Sequence, residues 1–192
     1  MKTSKKIALI ANKGGVGKTT IALLLFEAFR KANKKVAFRD YDIQGSASKA
    51  LEYQGSQDHA EKDGENYDVV IIDTPPSLLA PATIAAIHQA NLILIPTSPS
   101  PLDFWEAEEA ARFVGKHNPA SVVRVVINKT QKGTSLTQNL KQILKDFPVK
   151  TLSKTLALRQ SYAHAAILGW KALDRNCQQE FLEMAFEAAT AL

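Results

Sequence analysis

Ten residues, Ala11 to Thr20, read ANKGGVGKTT and bring together three glycines, two lysines and two threonines. A phosphate loop needs glycines so that the backbone can curl and aim several N–H groups inward, and it needs a helix start behind it to add positive potential. Gly14, Gly15, Val16 and Gly17 meet the first need, and the apolar stretch after Thr20 meets the second. In the pattern G-x-x-x-x-G-K-[ST], Lys18 would reach the β- and γ-phosphates, and Thr19 would bind Mg²⁺ through its hydroxyl. Two features depart from it: Asn12 occupies the first glycine position, and Lys13 is a lysine the pattern does not require.

Acidic groups follow at the ends of apolar runs. Asp73 closes VVIID, where a carboxylate could hold the shell of a magnesium ion. Asp40 and Asp42 stand at alternate positions in FRDYDIQGSAS, which predicts that both point to one side as a strand runs out and could orient a water and the metal. The stretch INKTQ offers Asn128 and Lys129, but Gln131 stands where a guanine-binding N-K-x-D would have its aspartate, which favours ATP. His59, His88, His117 and His164 are far apart in the chain and read as surface or helix residues; Trp105 and Trp170 read as packing residues. Cys177, the single cysteine, permits no internal disulfide and reads as a helix residue without special chemistry.

The elements that must carry these groups alternate. Apolar runs Lys5 to Asn12, Lys34 to Asp42, Tyr67 to Pro76, Asn91 to Thr97 and Val122 to Lys129 are strand-like, nearly continuous in apolar character, as in a parallel sheet covered on both faces. Helical stretches lie between them: TTIALLLFEAFRKA, PATIAAIHQA, LDFWEAEEAARFVGKH with an Asp103-x-x-Glu106 capping pattern, and SLTQNLKQILKDF. Past Pro148, VKTLSKTLALR is expected to hold one more strand, and helices are expected at Gln160 to Leu168 and Asn176 to Leu192. Tyr53 to Asn66 lacks apolar periodicity and reads as a polar surface loop. This order predicts an α/β fold, a doubly wound, mostly parallel sheet with helices on both faces, in one domain over residues 1–192.

Composition fits a globular chain: 45% of the 192 residues are hydrophobic and 22% charged, and no apolar run has the roughly 18 to 20 residues that a membrane span requires. The apolar stretch near the start runs into the glycine loop rather than to a cleavage site, so the expected location is cytoplasmic. Net charge is +5, and it is unevenly spread. From Arg112 to Arg175 there are twelve basic residues against two acidic ones, whereas from Glu52 to Glu109 eleven acidic residues face only Lys62. A basic segment of that kind suits a polyanion.

Taken in order, KGGVGKTT, DYDIQGSAS, VVIIDTPPS and LILIPTSPSPLDFWEAEEA resemble the ParA/MinD family of deviant Walker-type P-loop ATPases, in its short form without an N-terminal DNA-binding domain. The resemblance implies ATP and Mg²⁺ as cofactors and an ATP-sandwich homodimer. Lys13 matches the signature lysine that reaches the partner's nucleotide, Lys18 and Thr19 the phosphate and metal ligands, Asp42 the residue that positions the hydrolytic water, Asp40 its companion, Asp73 the Walker B carboxylate and Asn128 an adenine contact. It further implies nonspecific DNA binding through C-terminal basic residues, for which Arg159, Lys171 and Arg175 stand at comparable places. Nucleoid association and a small ParB-like or cargo-adaptor partner would follow, in plasmid or chromosome partition. Alternatives are the positioning of a protein cargo such as a carboxysome or chemosensory cluster, a MinD-like membrane cycle, and a metabolic ATP-dependent enzyme. A membrane cycle is disfavoured because QQEFLEMAFEAATAL carries three glutamates and no lysine or arginine. Ile43, where the family usually has proline, and Arg39, where it is usually apolar, depart from the pattern.

Overall fold

A computed structural model describes residues 4–56, 59–138 and 144–192. Five strands, β1 (Lys5–Leu9), β2 (Val36–Asp40), β3 (Val69–Asp73), β4 (Leu92–Thr97) and β5 (Val122–Ile127), form one sheet in the order β2-β3-β1-β4-β5. Every pairing is parallel. Side chains alternate across the sheet, so Ile7, Leu9, Phe38, Ile71 and Leu94 face one core while Ala8, Ile10, Ala37, Ile72 and Ile95 face another. Both cores are covered, which explains why the strands are apolar on both faces.

The first core is roofed by α1 (Lys18–Lys31), α2 (Ser46–Tyr53), α6 (Gln160–Leu168) and α7 (Arg175–Thr190). The second lies under α3 (Pro81–Gln89) and α4 (Pro101–His117). The short turn α5 (Ser135–Gln138) begins the predicted helix through Phe147; residues 139–143 of that expectation lie outside the described residues, and Leu144–Asp146 form a 3₁₀ turn.

Four expectations need correcting. Helix α2 is formed where none was expected, because only Ala47 and Leu51 of its eight residues are buried and so short a run leaves little periodicity. The segment after Pro148 makes only isolated parallel bridges, Val125 to Thr151 and Thr130 to Ala157, rather than a strand. Asp103 does not cap α4: the helix starts at Pro101 with Ser100 before it, which places Asp103 inside the first turn and frees its carboxylate for other partners. Trp105 is exposed rather than packed, whereas Trp170 is buried against Phe181. The polar stretch after Tyr53 is also tied down, through the bridge of Phe38 to Ala60 and the ion pair of Arg39 with Glu61. His88 and His117, 29 positions apart, meet edge to face across α3 and α4 with ring centroids 6.0 Å apart.

Candidate nucleotide site

Parallel order puts the carboxyl ends of β1, β2, β3 and β5 together, and the predicted nucleotide-site groups lie at those strand ends, in the loops that leave them and in the first turn of α1. In such sheets this edge is where ligands bind. The glycine loop runs from β1 to α1 with Gly15 and Gly17 in left-handed conformations, φ 78° and 100°. Gly17 is needed twice over, since a Cβ there would fall 2.3 Å from the Asn128 amide nitrogen.

Lys18 is buried, its ammonium donating to the Lys13 carbonyl at 3.4 Å. Burial lowers its pKa, opposed by the charges of Asp73 and Asp42. Thr19 donates its hydroxyl to one oxygen of Asp73 at 2.6 Å, while the other oxygen is buried without a hydrogen-bond partner. Burial drives the Asp73 carboxyl up to about 6, against the pull of the Thr19 hydrogen bond. A buried carboxylate oxygen left open beside a threonine hydroxyl is what a magnesium ion would satisfy, so these residues fit the metal. Thr19 and Asp73 would hold it, with Asp42 within electrostatic reach of both Asp73 and Lys18. When bound, the ion supplies charge neutralisation for the transferred phosphoryl group.

Asp40 and Asp42 do not act as a matched pair. Strand β2 stops at Asp40, and both oxygens of Asp40 are occupied, one by the Asp42 N–H at 3.1 Å and the other by the Ser48 N–H at 2.9 Å in the first turn of α2. Asp40 therefore braces the loop, and the half-buried Asp42 carboxylate accepts from the Gln44 N–H at 3.1 Å through one oxygen.

Asn128 is buried beneath the loop, donating to the Val16 carbonyl at 2.9 Å and accepting from the Lys129 N–H. Lys129 reaches the Gly15 carbonyl at 2.6 Å. Together they strap the loop to the end of β5, a task the sequence hid because the Asn-Lys pair reads first as half of a base-binding motif. Gly15, Gly17 to Thr20, Asn128 and Lys129 form one side of a cavity of about 400 Å³, and Leu156 to Arg159, Tyr162 and Phe181 form the other.

Lys13 is placed differently. Its side chain is 51% exposed and its ammonium pairs with Asp103 at 2.5 Å, away from the cavity that Lys18 borders. Burial works to raise the Asp103 carboxyl, but hydrogen bonds from Lys13 and Ser98 outweigh it and hold it below the usual range. Asn12 donates to Glu106 at 3.2 Å and accepts from the Leu78 N–H at 3.4 Å, so the residue in the missing glycine's place ties the loop to α4 and to the segment after β3.

Of the basic residues expected to meet DNA, Lys171 and Arg175 are exposed near the start of α7. Arg159 instead borders the cavity and lies 3.8 Å from Asp174 and 3.6 Å from Glu180.

Residues 7–168 match the CobQ/CobB/MinD/ParA nucleotide binding domain. The chain belongs to this family. As a ParA/MinD-type ATPase, it is 27% identical over 190 residues to the maintenance of carboxysome distribution protein A of Halothiobacillus neapolitanus, with 88% of each chain covered. Its ParA/MinD fold superposes on a plasmid partition protein from Borrelia burgdorferi bound to AMPPNP, with TM-score 0.79, 19% identity and coverage of 99% and 100%. It also superposes on the septum site-determining protein MinD of Pyrococcus horikoshii, complexed with Mg-ADP, with TM-score 0.76, 15% identity and 96% of each chain covered.

Proposed function

We propose that this ATPase uses ATP and Mg²⁺ to form a sandwich homodimer that binds DNA nonspecifically, and that a small partner protein stimulates hydrolysis and releases it. The observation that supports the dimer is the different placement of the two loop lysines. Lys18 is buried at its own cavity, whereas Lys13 stands half in solvent on the outer side, its ammonium parked on Asp103. Leu79, Leu102 and Trp105, exposed apolar side chains on the segments that Asn12 and Lys13 touch, would be covered by a second copy.

In that dimer Lys13 would leave Asp103 for the partner's phosphates, Lys18 would serve its own, and Asp42 would position the attacking water. The basic segment containing Lys171 and Arg175 would meet DNA phosphates, an attraction that carries no sequence information. Plasmid or chromosome partition is the leading use. Positioning of a protein cargo is the second, favoured by the likeness to the carboxysome distribution protein over most of the chain.

Anisotropy of a labelled DNA duplex, read with ATP, with ADP and without nucleotide, tests the proposal. Binding should require ATP, persist longest for Asp42→Ala, and weaken as salt rises. Binding that ignores the nucleotide would refute the cycle.

A further inference from the structure

The glycine loop accounts for phosphates; a nucleoside would lie against the opposite wall of the cavity, formed by Leu156 to Arg159. Leu156 and Leu158 donate their N–H groups to the carbonyls of Ile127 and Thr130, each at 2.9 Å, and the Leu156 carbonyl accepts from the Thr130 N–H at 3.0 Å, so the segment is held by alternate residues along the end of β5 and the residues that follow it. The N–H of Ala157, between them, points the other way, as alternation along an extended chain requires. Left unpaired when a ligand covers the wall, it would cost free energy comparable to a lost hydrogen bond.

Glu180, four-fifths buried on α7, supplies the partner. One carboxylate oxygen accepts from the Ala157 N–H at 2.8 Å and from the Tyr162 hydroxyl at 2.8 Å, and the other lies 3.6 Å from the Arg159 guanidinium. Tyr162 is itself buried, with its hydroxyl also 3.3 Å from the Cys177 carbonyl. One side chain on α7 thus gathers a backbone N–H of the wall, the residue at its end and the tyrosine behind it. None of these contacts reaches the glycine loop.

We infer that Glu180 is a positioning residue for nucleoside recognition, holding the Leu156–Arg159 wall at the distance from Asn128 that a base and ribose need. The inference rests on reading this cavity as the nucleotide site. Its signature is selective: loss of Glu180 weakens ligands with a nucleoside and spares those with phosphates alone.

Calorimetric titration of Mg-ADP and of Mg-pyrophosphate into the wild type, Glu180→Ala, Glu180→Gln and Tyr162→Phe tests this. In Glu180→Ala, ADP should bind about tenfold more weakly while pyrophosphate changes by less than about twofold, the size expected for losing hydrogen bonds to a charged acceptor. The KM for ATP should rise with kcat nearly held. Glu180→Gln keeps an acceptor oxygen for Ala157 and should recover most of the ADP affinity. If Glu180→Ala does not fold, Tyr162→Phe decides, with ADP weakened about threefold and pyrophosphate unchanged. Equal weakening of both ligands, or unaltered ADP binding in the folded variant that decides, overturns the inference. A wild type that binds pyrophosphate but not ADP would overturn the nucleotide reading instead.

Discussion

At Asp73 burial sets a stability cost that a bound metal ion would offset. Its carboxyl is raised to about 6 by burial, while in the unfolded chain it would titrate near 4. The folded state then binds the proton more tightly, so without metal this group makes the protein less stable as pH rises from about 4 through about 6. A shift of that size corresponds to roughly 2 to 3 kcal/mol. Asp73→Asn should remove the effect: in chelator, its melting temperature at pH 7.5 should exceed that of the wild type, and Mg-ADP should no longer raise it. A wild type that stays the more stable of the two in chelator would contradict the assignment of an uncompensated carboxylate. Gly17 makes a second prediction at this scale. Gly17→Ala forces a left-handed alanine into the Asn128 amide, and nucleotide affinity should drop by at least about a hundredfold, read by fluorescent ADP titration. These positions were legible in the sequence because glycine spacing and an acid at a strand end state local requirements. The strap of Asn128 and Lys129 onto the loop was not, since it joins residues 112 and 114 positions apart.

Elements were legible in proportion to their length and apolar content. Strands β1 to β5 stand out because their near-continuous apolar runs serve both cores, and helices α1, α3 and α4 because each lays an apolar face on one of them. Helix α2 escaped because what starts it is not in its own residues: Asp40, at the end of β2, accepts from the Ser48 N–H and so supplies the cap that Gly45 lacks. Asp40→Ala should therefore lower stability in urea by about 1 to 2 kcal/mol, as for loss of a helix cap, while ADP affinity stays close to that of the wild type. A large loss of ADP affinity with unchanged stability would instead make Asp40 a ligand-binding group. The Thr151 to Leu158 segment defeats periodicity for a related reason. It borrows hydrogen bonds from β5 on one edge and from Glu180 on the other, and neither partner is near it in sequence.

For the molecule as a whole, charge is the property that sequence shows and contacts qualify. The twelve-to-two basic excess between Arg112 and Arg175 remains the reason to expect a polyanion, but Arg159 is held near two carboxylates whereas Lys171 and Arg175 are exposed. DNA affinity in ATP should fall by about 0.9 log units per log unit of salt for each phosphate neutralised, and Lys171→Ala should lower that slope by about one. A slope unchanged by that substitution would remove Lys171 from the interface. The central claim concerns the two lysines of one loop, and the molar mass of the protein in solution tests it most directly. Without nucleotide, light scattering should give 21.0 kDa; with Mg-ATP, Asp42→Ala should give twice that mass, and the same protein carrying Lys13→Ala should stay at the lower value while still binding nucleotide. A Lys13→Ala variant that doubles its mass with ATP would contradict the account.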